Sequence, residues 1–385
     1  MSSQPLAHPR PILFVDHAQR LGGAEHSLLL LMHHLDKTFW QAHLACPAGD
    51  LANAAKSLAI PWYNVTLPRL RRSLRVGSDW YLGAATLADI TRQTGASMVV
   101  ANTVRAAFFV ALASKMSKRP FLWHMRDFWL SETQPRWPQL DWLLKTMLCR
   151  SAMQVIANSH ATASHLPCHQ VQVIHNGLNL HQFDPTLDST AFRQAHHIPP
   201  DAPLVGIVGR LRPWKGQHRF IEMATAVAPT HPSTHFIIVG GNVFEHANGY
   251  ANSLRDLANR AGLTDKIHFT GQIKEVDQAL AAMDIFVHSG DPEPFGMVNI
   301  EAMAMGKPVV AFAHGALPEI VQHGETGFLV PPTDLVAMAT AVSSRLSQPE
   351  QAKKIGKAGR ERVIAQFTIQ KTATSFSDML LRVLG

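Results

Sequence analysis

Between Val287 and Pro332 the chain reads VHSGDPEPFGMVNIEAMAMGKPVVAFAHGALPEIVQHGETGFLVPP, a stretch that admits few folds. Asp284-Ile285-Phe286-Val287 is a short apolar run that predicts a buried strand entering a Gly/Pro-rich loop. Good helix formers follow from Met297 to Met305, Gly306 and Pro308 end that helix, and Val309-Val310-Ala311 reads as the next strand. Strand, loop, helix and strand make one βαβ unit. Its loop and helix start lie at the carboxyl edge of a parallel sheet, where open α/β sheets take their ligands. Bare N–H groups at a helix start suit a phosphate, while the carboxylates of Glu293 and Glu301 suit hydroxyls. A site with both is built for a phosphorylated sugar.

The same alternation runs along the rest of the chain. Ile12 to Asp16, His43 to Cys46, Met98 to Ala101, Phe121 to His124, Gln154 to Ala157 and Val171 to His175 read as strands. Amphipathic segments such as Ala24 to Leu35 and Trp80 to Thr94 separate them, which means a parallel sheet covered on both faces. A polar stretch with Asp184-Pro185 and Pro199-Pro200 then predicts an interdomain linker. A second alternation starts at Leu204-Val205-Gly206-Ile207-Val208 and continues through Phe236 to Val239, Ile267 to Thr270, Ile285 to His288 and Val309 to Phe312. The tail from Ser343 to Leu384 is helical in pattern. A chain of 385 residues is too long for one ordinary domain. The expected division is a first domain over 1–180, a linker over 181–200, a second domain over 201–365 and a final helix over 366–385.

Hydrophobic content of 46% supports sizeable cores and excludes global disorder. Cys46, Cys149 and Cys168 form an odd, scattered set without metal or redox spacing, and the simple expectation is a reducing compartment. Ile12 to Val15 is too short for a secretory h-region, and Met98 to Met116 is interrupted by Asn102 and Arg105, so a cytoplasmic protein is expected. A net charge of +7 favours anionic partners: nucleotide, nucleic acid or acidic lipid. Arg69, Arg71, Arg72 and Arg75 interleave with Leu67, Leu70, Leu74 and Val76. That pattern reads as a membrane-surface patch, an acceptor-site loop or plain solvated surface. His160, His165, Cys168 and His169 offer zinc ligands, but without C-x2-C or H-E-x-x-H spacing no metal is expected there.

Glu293 and Glu301, with seven residues between them, resemble the E-x7-E signature of glycosyltransferase family 4, retaining enzymes of the GT-B fold. The flanking E-x-F-G, E-A-M-A-x-G-x-P-V-V and G-x-x-x-x-V-P-P elements extend the resemblance. It covers the chain tightly from Leu204 to Pro332 and loosely from Ile12 to Asn176. It implies an α/β architecture of two Rossmann-like parallel-sheet domains facing a cleft, with a C-terminal helix, here Ser375 to Leu384, crossing back to the first domain.

The resemblance also assigns roles. Gly209-Arg210-Leu211-Arg212-Pro213-Trp214-Lys215-Gly216 is similar to the family's G-R-L-x-x-x-K-G element, implying that Arg210 and Lys215 hold the donor diphosphate. Two fixed cations can stabilise the leaving charge without a metal. By the same likeness Glu301 bonds the ribose hydroxyls, and Glu293 holds the donor sugar with the amides around Phe295, Gly296 and Met297. Gly22-Gly23 matches the G-G-A-E turn near the donor phosphate and acceptor, and Gly271-Gln272-Ile273 lies where the base is held by backbone groups. Gly240-Gly241 and Asn242 read either as lining for the same cleft or as ordinary turns. His124 falls where members carry a histidine that contacts the sugar or its phosphate. Many members have His-Asp there; this chain has His-Met-Arg-Asp, leaving Arg126 or Asp127 as its companion.

The expected function is therefore retaining transfer of a sugar from a nucleoside diphosphate to an acceptor hydroxyl in polysaccharide or glycolipid assembly, with no cofactor and no nucleic-acid partner. Two rivals are a nucleotide-sugar epimerase or phosphorylase of similar fold and a non-catalytic nucleotide-sugar scaffold. A nicotinamide dehydrogenase is disfavoured because no G-x-G-x-x-G follows a candidate strand.

Overall fold

The computed structural model describes residues 8–69, 75–128, 138–241 and 248–384. Met1–Gly177 with Ile369–Gly385 form one compact unit, and Leu178–Thr368 form the other. The strands of the first unit are β1 (Arg10–Val15), β2 (Trp40–Cys46), β3 (Trp62–Asn64), β4 (Met98–Ala101), β5 (Phe121–Met125), β6 (Gln154–Ala157) and β7 (Gln172–Val173). They form a parallel sheet in the order β3-β2-β1-β4-β5-β6-β7. The interior strands are mostly apolar because both faces are covered; β4, Met-Val-Val-Ala, is wholly buried.

The first unit's helices are α1 (Gly23–His34), α2 (Asp50–Ser57), α3 (Val76–Thr94), α4 (Val104–Ser117), α5 (Pro138–Ser151) and α6 (His160–Ser164). Local chemistry sets several of their ends. Thr103 and Ser159 accept the N–H groups of Ala106 and Thr162 at the starts of α4 and α6, and Gly95 ends α3 in the left-handed conformation. One core, under α3, α4 and α5, joins Leu87, Phe109 and Leu148 to Phe121 and Trp123.

The second unit is wound in the same sense. Its helices are α7 (Thr190–Ala195), α8 (Gln217–Val227), α9 (Asn248–Arg260), α10 (Val276–Ala282), α11 (Met297–Ala304), α12 (Leu317–Ile320), α13 (Leu335–Ser347) and α14 (Pro349–Gln366). Its strands are β8 (Leu204–Val208), β9 (His235–Val239), β10 (Ile267–Gly271), β11 (Ile285–His288), β12 (Val309–Phe312) and β13 (Phe328–Val330), all parallel in the order β10-β9-β8-β11-β12-β13. The strand order reverses between β8 and β11 here, and between β1 and β4 in the first unit. Such a switch point opens a crevice at the carboxyl edge.

The last helix, α15 (Ile369–Leu384), belongs to the first unit. Ala373, Phe376, Met379 and Leu380 join the core of Ile12, Phe14 and Leu28 on the sheet face opposite α3–α5. Trp40 Nε1 donates to Ser377 Oγ at 2.6 Å, and Thr372 Oγ1 donates to the His175 carbonyl at 2.9 Å. No described helix is long and apolar enough to cross a membrane.

Two expectations are corrected. The stretch 181–200 is not a linker: Phe183 and Ile198 are buried in the second unit's core, and Asp184, Ser189 and the prolines shape turns around α7. The cysteines are not all separate either. Cys149 at the end of α5 and Cys168 after α6 form a disulfide, and Cys46 alone is a free, buried thiol. This removes Cys168 from the suggested zinc set and takes away the cysteine argument for a reducing compartment. Of the four-arginine patch, Arg71 and Arg72 lie outside the described residues, as does Asn242.

Phe376 is fully buried with its ring 6.0 Å from that of Phe14, so Phe376→Ala should lower the stability of the first unit by about 3–5 kcal/mol. Urea denaturation read by tryptophan fluorescence checks this. A change below about 1 kcal/mol would mean that α15 adds little to that core.

Candidate functional site

At the switch point of the second sheet, the loops after β8 and β11 meet backbone to backbone. Gly216, at φ +75°, has room for no side chain, since a Cβ there would lie 2.0 Å from the Ser289 carbonyl oxygen. Ser289 Oγ donates to the Gly216 carbonyl at 2.8 Å, and the Asp291 N–H donates to the Trp214 carbonyl at 2.7 Å. Arg219 on α8 reaches across to the Asp291 carboxylate at 2.8 Å. Gln217, wholly buried, donates to the Arg210 carbonyl at 3.0 Å and fixes the turn that carries Arg210.

This clamp sets Lys215 against Glu293. The Lys215 ammonium pairs with Glu293 Oε1 and also lies 4.5 Å from the centre of the Trp214 ring. His288 Nε2, at the end of β11, donates to the same carboxylate oxygen at 3.1 Å. Glu293 is buried, 8% exposed, and its backbone is fixed as well, with the Ala316 N–H donating to its carbonyl at 3.0 Å. A Cβ on Gly315 would lie 2.6 Å from that carbonyl oxygen, so the turn must be glycine. Burial alone would raise the carboxyl's pKa, but the Lys215 ammonium and the hydrogen bond and charge of His288 outweigh it. Glu293 is held well below the ordinary carboxylate range.

Glu301, in the second turn of α11, behaves in the opposite way. Its burial pushes it up to about 7, with Lys215 pulling weakly down. Two carboxyls of one segment are thus ionised and half-protonated at neutral pH. Arg210 is exposed and, among the described residues, carries no ion pair.

Neighbouring loops close the same edge. A Cβ on Gly240 would lie 2.0 Å from the Gly209 carbonyl oxygen, and one on Gly241 would lie 2.7 Å from Gln272 Cβ. Gly240 N–H donates to the Gly271 carbonyl at 3.1 Å. Gly271 is left-handed at φ +69°, Gln272 is exposed, and Ile273 packs partly on the core. Gly296, at φ +86°, caps α11, and its carbonyl accepts from Asn299 Nδ2 at 3.1 Å. Met297 is half-buried at the helix start. Phe295 turns its ring inward against Phe367, 2% exposed, so only its backbone faces the loop side.

The first unit has its own polar cluster, of which the sequence pointed only to Arg126. Asp16 after β1, Asn102 after β4, Arg126 after β5 and Asn176 after β7 are all buried at the carboxyl edge. Asn102 Nδ2 donates to Asp16 Oδ2 at 2.7 Å, while Arg126 donates from Nε to Asn102 Oδ1 at 2.6 Å and from Nη1 to Asn176 Oδ1 at 2.5 Å. Burial, with the charge of Glu25, pushes Asp16 up to about 7; burial also brings Arg126 down to about 10. Gly22 and Gly23 open α1, where the Glu25 carboxylate reaches back to accept the Gly22 N–H at 2.9 Å.

His124 is 1% exposed, its ring stacked on Phe376 at 5.9 Å, and burial beside Arg126 keeps it neutral. Its companion in the cluster is Arg126, not the exposed Asp127. The structure thus gathers Arg210, Lys215, Glu293, Glu301 and the glycine turns at one edge of the second unit. His124, Gly22 and Gly23 are at the corresponding edge of the first. His288 was missed because a lone strand-end histidine carries no signal; its place five residues before Glu293 was the available clue.

The Lys215–Glu293 pair is the sharpest test of this geometry. Lys215→Met should cost about 3–5 kcal/mol, because it leaves a carboxyl buried without its cation, and adding Glu293→Gln should recover much of that. The pH dependences run in opposite directions. The folded pKa of Glu293 lies below its ordinary 4.5, so its contribution is present above pH 4.5 and is lost as pH falls through the folded value. Glu301 is raised, so the folded state holds the extra proton from pH 4.5 to about 7 and stability falls as pH rises through that window. Asp16, also raised to about 7, adds a fall over the same window, so denaturation across pH should show a shallower fall in Glu301→Gln than in the parent, the remainder being due to Asp16.

Comparison with known proteins follows this geometry. Residues 188–362 match the family model described as glycosyl transferases group 1, and residues 21–182 match glycosyltransferase family 4. The lipopolysaccharide core biosynthesis mannosyltransferase LpsB of Rhizobium meliloti is 32% identical over 232 residues, 60% of this chain and 66% of the relative. A GDP-mannose-dependent alpha-(1-6)-phosphatidylinositol monomannoside mannosyltransferase of Mycobacterium tuberculosis is 30% identical over 223 residues, 56% of each chain. The chain thus spans little more than half to two thirds of these curated relatives' length. A crystal structure of Anabaena Alr3699/HepE in complex with UDP and glucose superposes with a TM-score of 0.84 at 27% identity, covering 97% of this chain and 100% of that one.

Proposed function

The chain belongs to the group 1 glycosyltransferases of the GT-B fold, and from that premise we propose that it transfers a sugar from a nucleoside diphosphate to an acceptor hydroxyl, with retention and without a metal ion. The observation that carries this reading is the buried Lys215–Glu293 pair at the β8/β11 switch point, with the exposed cation of Arg210 on the adjoining turn. Breaking the bond between the sugar carbon and the phosphate oxygen leaves added negative charge on the diphosphate. Arg210 and Lys215 supply fixed positive charge for it, and losing one such group typically costs ~10²–10³ in turnover.

Glu293, kept ionised, holds the donor sugar with the amides around Phe295, Gly296 and Met297, and stabilises positive charge developing on the ring. Glu301 bonds the ribose hydroxyls, and a carboxyl with a pKa of about 7 can accept or donate such a bond. Gly271, Gln272 and Ile273 meet the base through their backbone, and Gly22 and Gly23 approach the donor phosphate. The acceptor oxygen attacks on the face the diphosphate leaves, its proton passing to the departing phosphate oxygen. No cofactor enters this scheme.

The named relatives are mannosyltransferases of lipopolysaccharide and phosphatidylinositol mannoside assembly, and the crystallised neighbour holds UDP and glucose. A hexose donor and a saccharide or lipid-linked acceptor fit this reading. It includes a cytoplasmic location with peripheral contact at the inner membrane through Arg69, Arg71, Arg72 and Arg75.

Turnover screened across UDP-, GDP- and ADP-hexoses should find one donor whose use survives EDTA and gives an α-linked product from an α-linked donor, read by NMR. Loss of activity on chelation removes the two-cation account, and an inverted linkage removes retention. The two glutamates should separate kinetically. Glu301→Ala is expected to raise KM for the donor tenfold or more with kcat nearly kept, whereas Glu293→Gln should lower kcat about 10²–10³-fold with nucleotide affinity near normal. The reverse pattern would exchange their roles.

A further inference from the structure

Two arginines at the carboxyl edge of the first sheet lack a partner of opposite charge. Arg105 lies in the first turn of α4, directly after β4, and Arg69 lies in the loop that follows β3. Arg105 is half-buried and Arg69 exposed, and among the described residues neither makes an ion pair or a hydrogen bond. They act on each other and on His17, the second residue after β1. Burial and then Arg69 lower the pKa of Arg105, while burial and then the charges of Arg105 and Arg69 bring His17 down to about 4. His17 Nδ1 lies 2.8 Å from Oγ1 of Thr103, the residue that caps α4. The carboxyl that opposes this charge is Asp16. It is wholly buried, half-protonated near neutral pH and already bonded to Asn102.

The helix adds to the excess. The Thr103 side chain takes the Ala106 N–H, so the N–H groups of Val104 and Arg105 remain for a ligand, and the positive end of a 14-residue helix dipole stands beside the Arg105 cation. Like charges gathered in this way call for an anion. A phosphate monoester carries about −1.5 to −2 at neutral pH and matches two guanidiniums, whereas one carboxylate leaves half of their charge unmet. The donor's diphosphate has cations of its own in Arg210 and Lys215 of the second unit. The phosphate that Arg69 and Arg105 fit is therefore the acceptor's.

We propose that Arg69, Arg105, His17 and the start of α4 form a phosphate subsite for the acceptor, so that the saccharide receiving the sugar already carries a phosphate group. The inference rests on the transferase reading and names its acceptor class. Arg69, one of the arginines assigned above to peripheral contact, acts here on that phosphate.

Calorimetry with inorganic phosphate tests the subsite on the full chain, with Arg210→Gln as background because it weakens the second unit's own phosphate site. Adding Arg105→Gln should lower phosphate affinity about tenfold and Arg69→Gln about fivefold, and Arg105→Lys should recover part of the loss. Arg119→Gln, exposed ahead of β5 at the opposite edge, should change nothing. Bound phosphate should also raise the His17 midpoint, read by NMR, by about one unit or more, which a purely structural role for the arginines would not do. Thermal midpoints without phosphate verify folding. With the donor found by the screen, hexose phosphates should exceed free hexoses and uronic acids at least tenfold in kcat/KM, and Arg105→Gln should erase that preference. The proposal is overturned if both arginine variants bind phosphate as the background does, if acetate binds as well as phosphate, or if free hexoses or uronic acids are preferred. Absence of donor turnover from the parent, with phosphate binding intact, would instead remove the transferase reading and leave a phosphate site at this edge.

Discussion

A carboxylate buried at 8% exposure must be neutralised or paid for elsewhere, and the loops of the second unit are arranged around that requirement. Lys215 and His288 converge on one oxygen of Glu293 from two strands. Bringing them there forces the loops after β8 and β11 into backbone contact, which fixes Gly216 as glycine, while the loop after β12 packs against the Glu293 backbone and fixes Gly315. Such a pair is a weak source of stability, because desolvation consumes most of its attraction. What it provides is charge already in position before any ligand arrives.

The same physics yields different protonation at short range. Glu293 has a cation and a histidine and stays ionised, while Glu301 has burial and only the remote pull of Lys215, and sits near neutrality. Asp16 in the first unit repeats the second pattern, its neighbours being a neutral amide and another acid rather than a contacting cation. In both units the titrating groups stand at the carboxyl edge of the sheet, at the point where strand order reverses.

Strands covered on both faces are continuous apolar runs, which is why β4, β6, β8, β11 and β12 are legible in the sequence to the residue. β3 and β13 are three-residue edge strands whose apolar signal is too short to register. The misread linker has the composition of one, with its prolines and aspartates, but Phe183 and Ile198 anchor it in a core that composition does not reveal. Cys149 and Cys168 pair only because α5 and the turn after α6 pack side by side, a fact of tertiary structure. At the site, the family pattern pointed to Lys215 and Glu293 separately, although 78 positions divide them. His288, Asp16 and Asn102 were out of reach, because single polar residues at strand ends look alike until the sheet aligns them. His124 shows the converse: a residue conspicuous in the sequence that the fold stacks beneath Phe376.

The second unit begins at Leu178 and ends at Thr368, and those two residues form a bridge, with the Leu178 N–H donating to the Phe367 carbonyl at 2.9 Å. The whole unit is therefore an insertion whose ends meet, spliced into the first unit ahead of its last helix. On a ribosome the order of completion is inverted relative to the order of synthesis. The first sheet emerges early but waits, with the apolar surface around Phe14 and Trp40 uncovered, until the sixteen residues of α15 follow. The inserted unit can close as soon as Thr368 leaves the exit tunnel. A truncated transcript or a stalled ribosome would thus release a finished second unit attached to an unfinished first, the kind of species that chaperones retain.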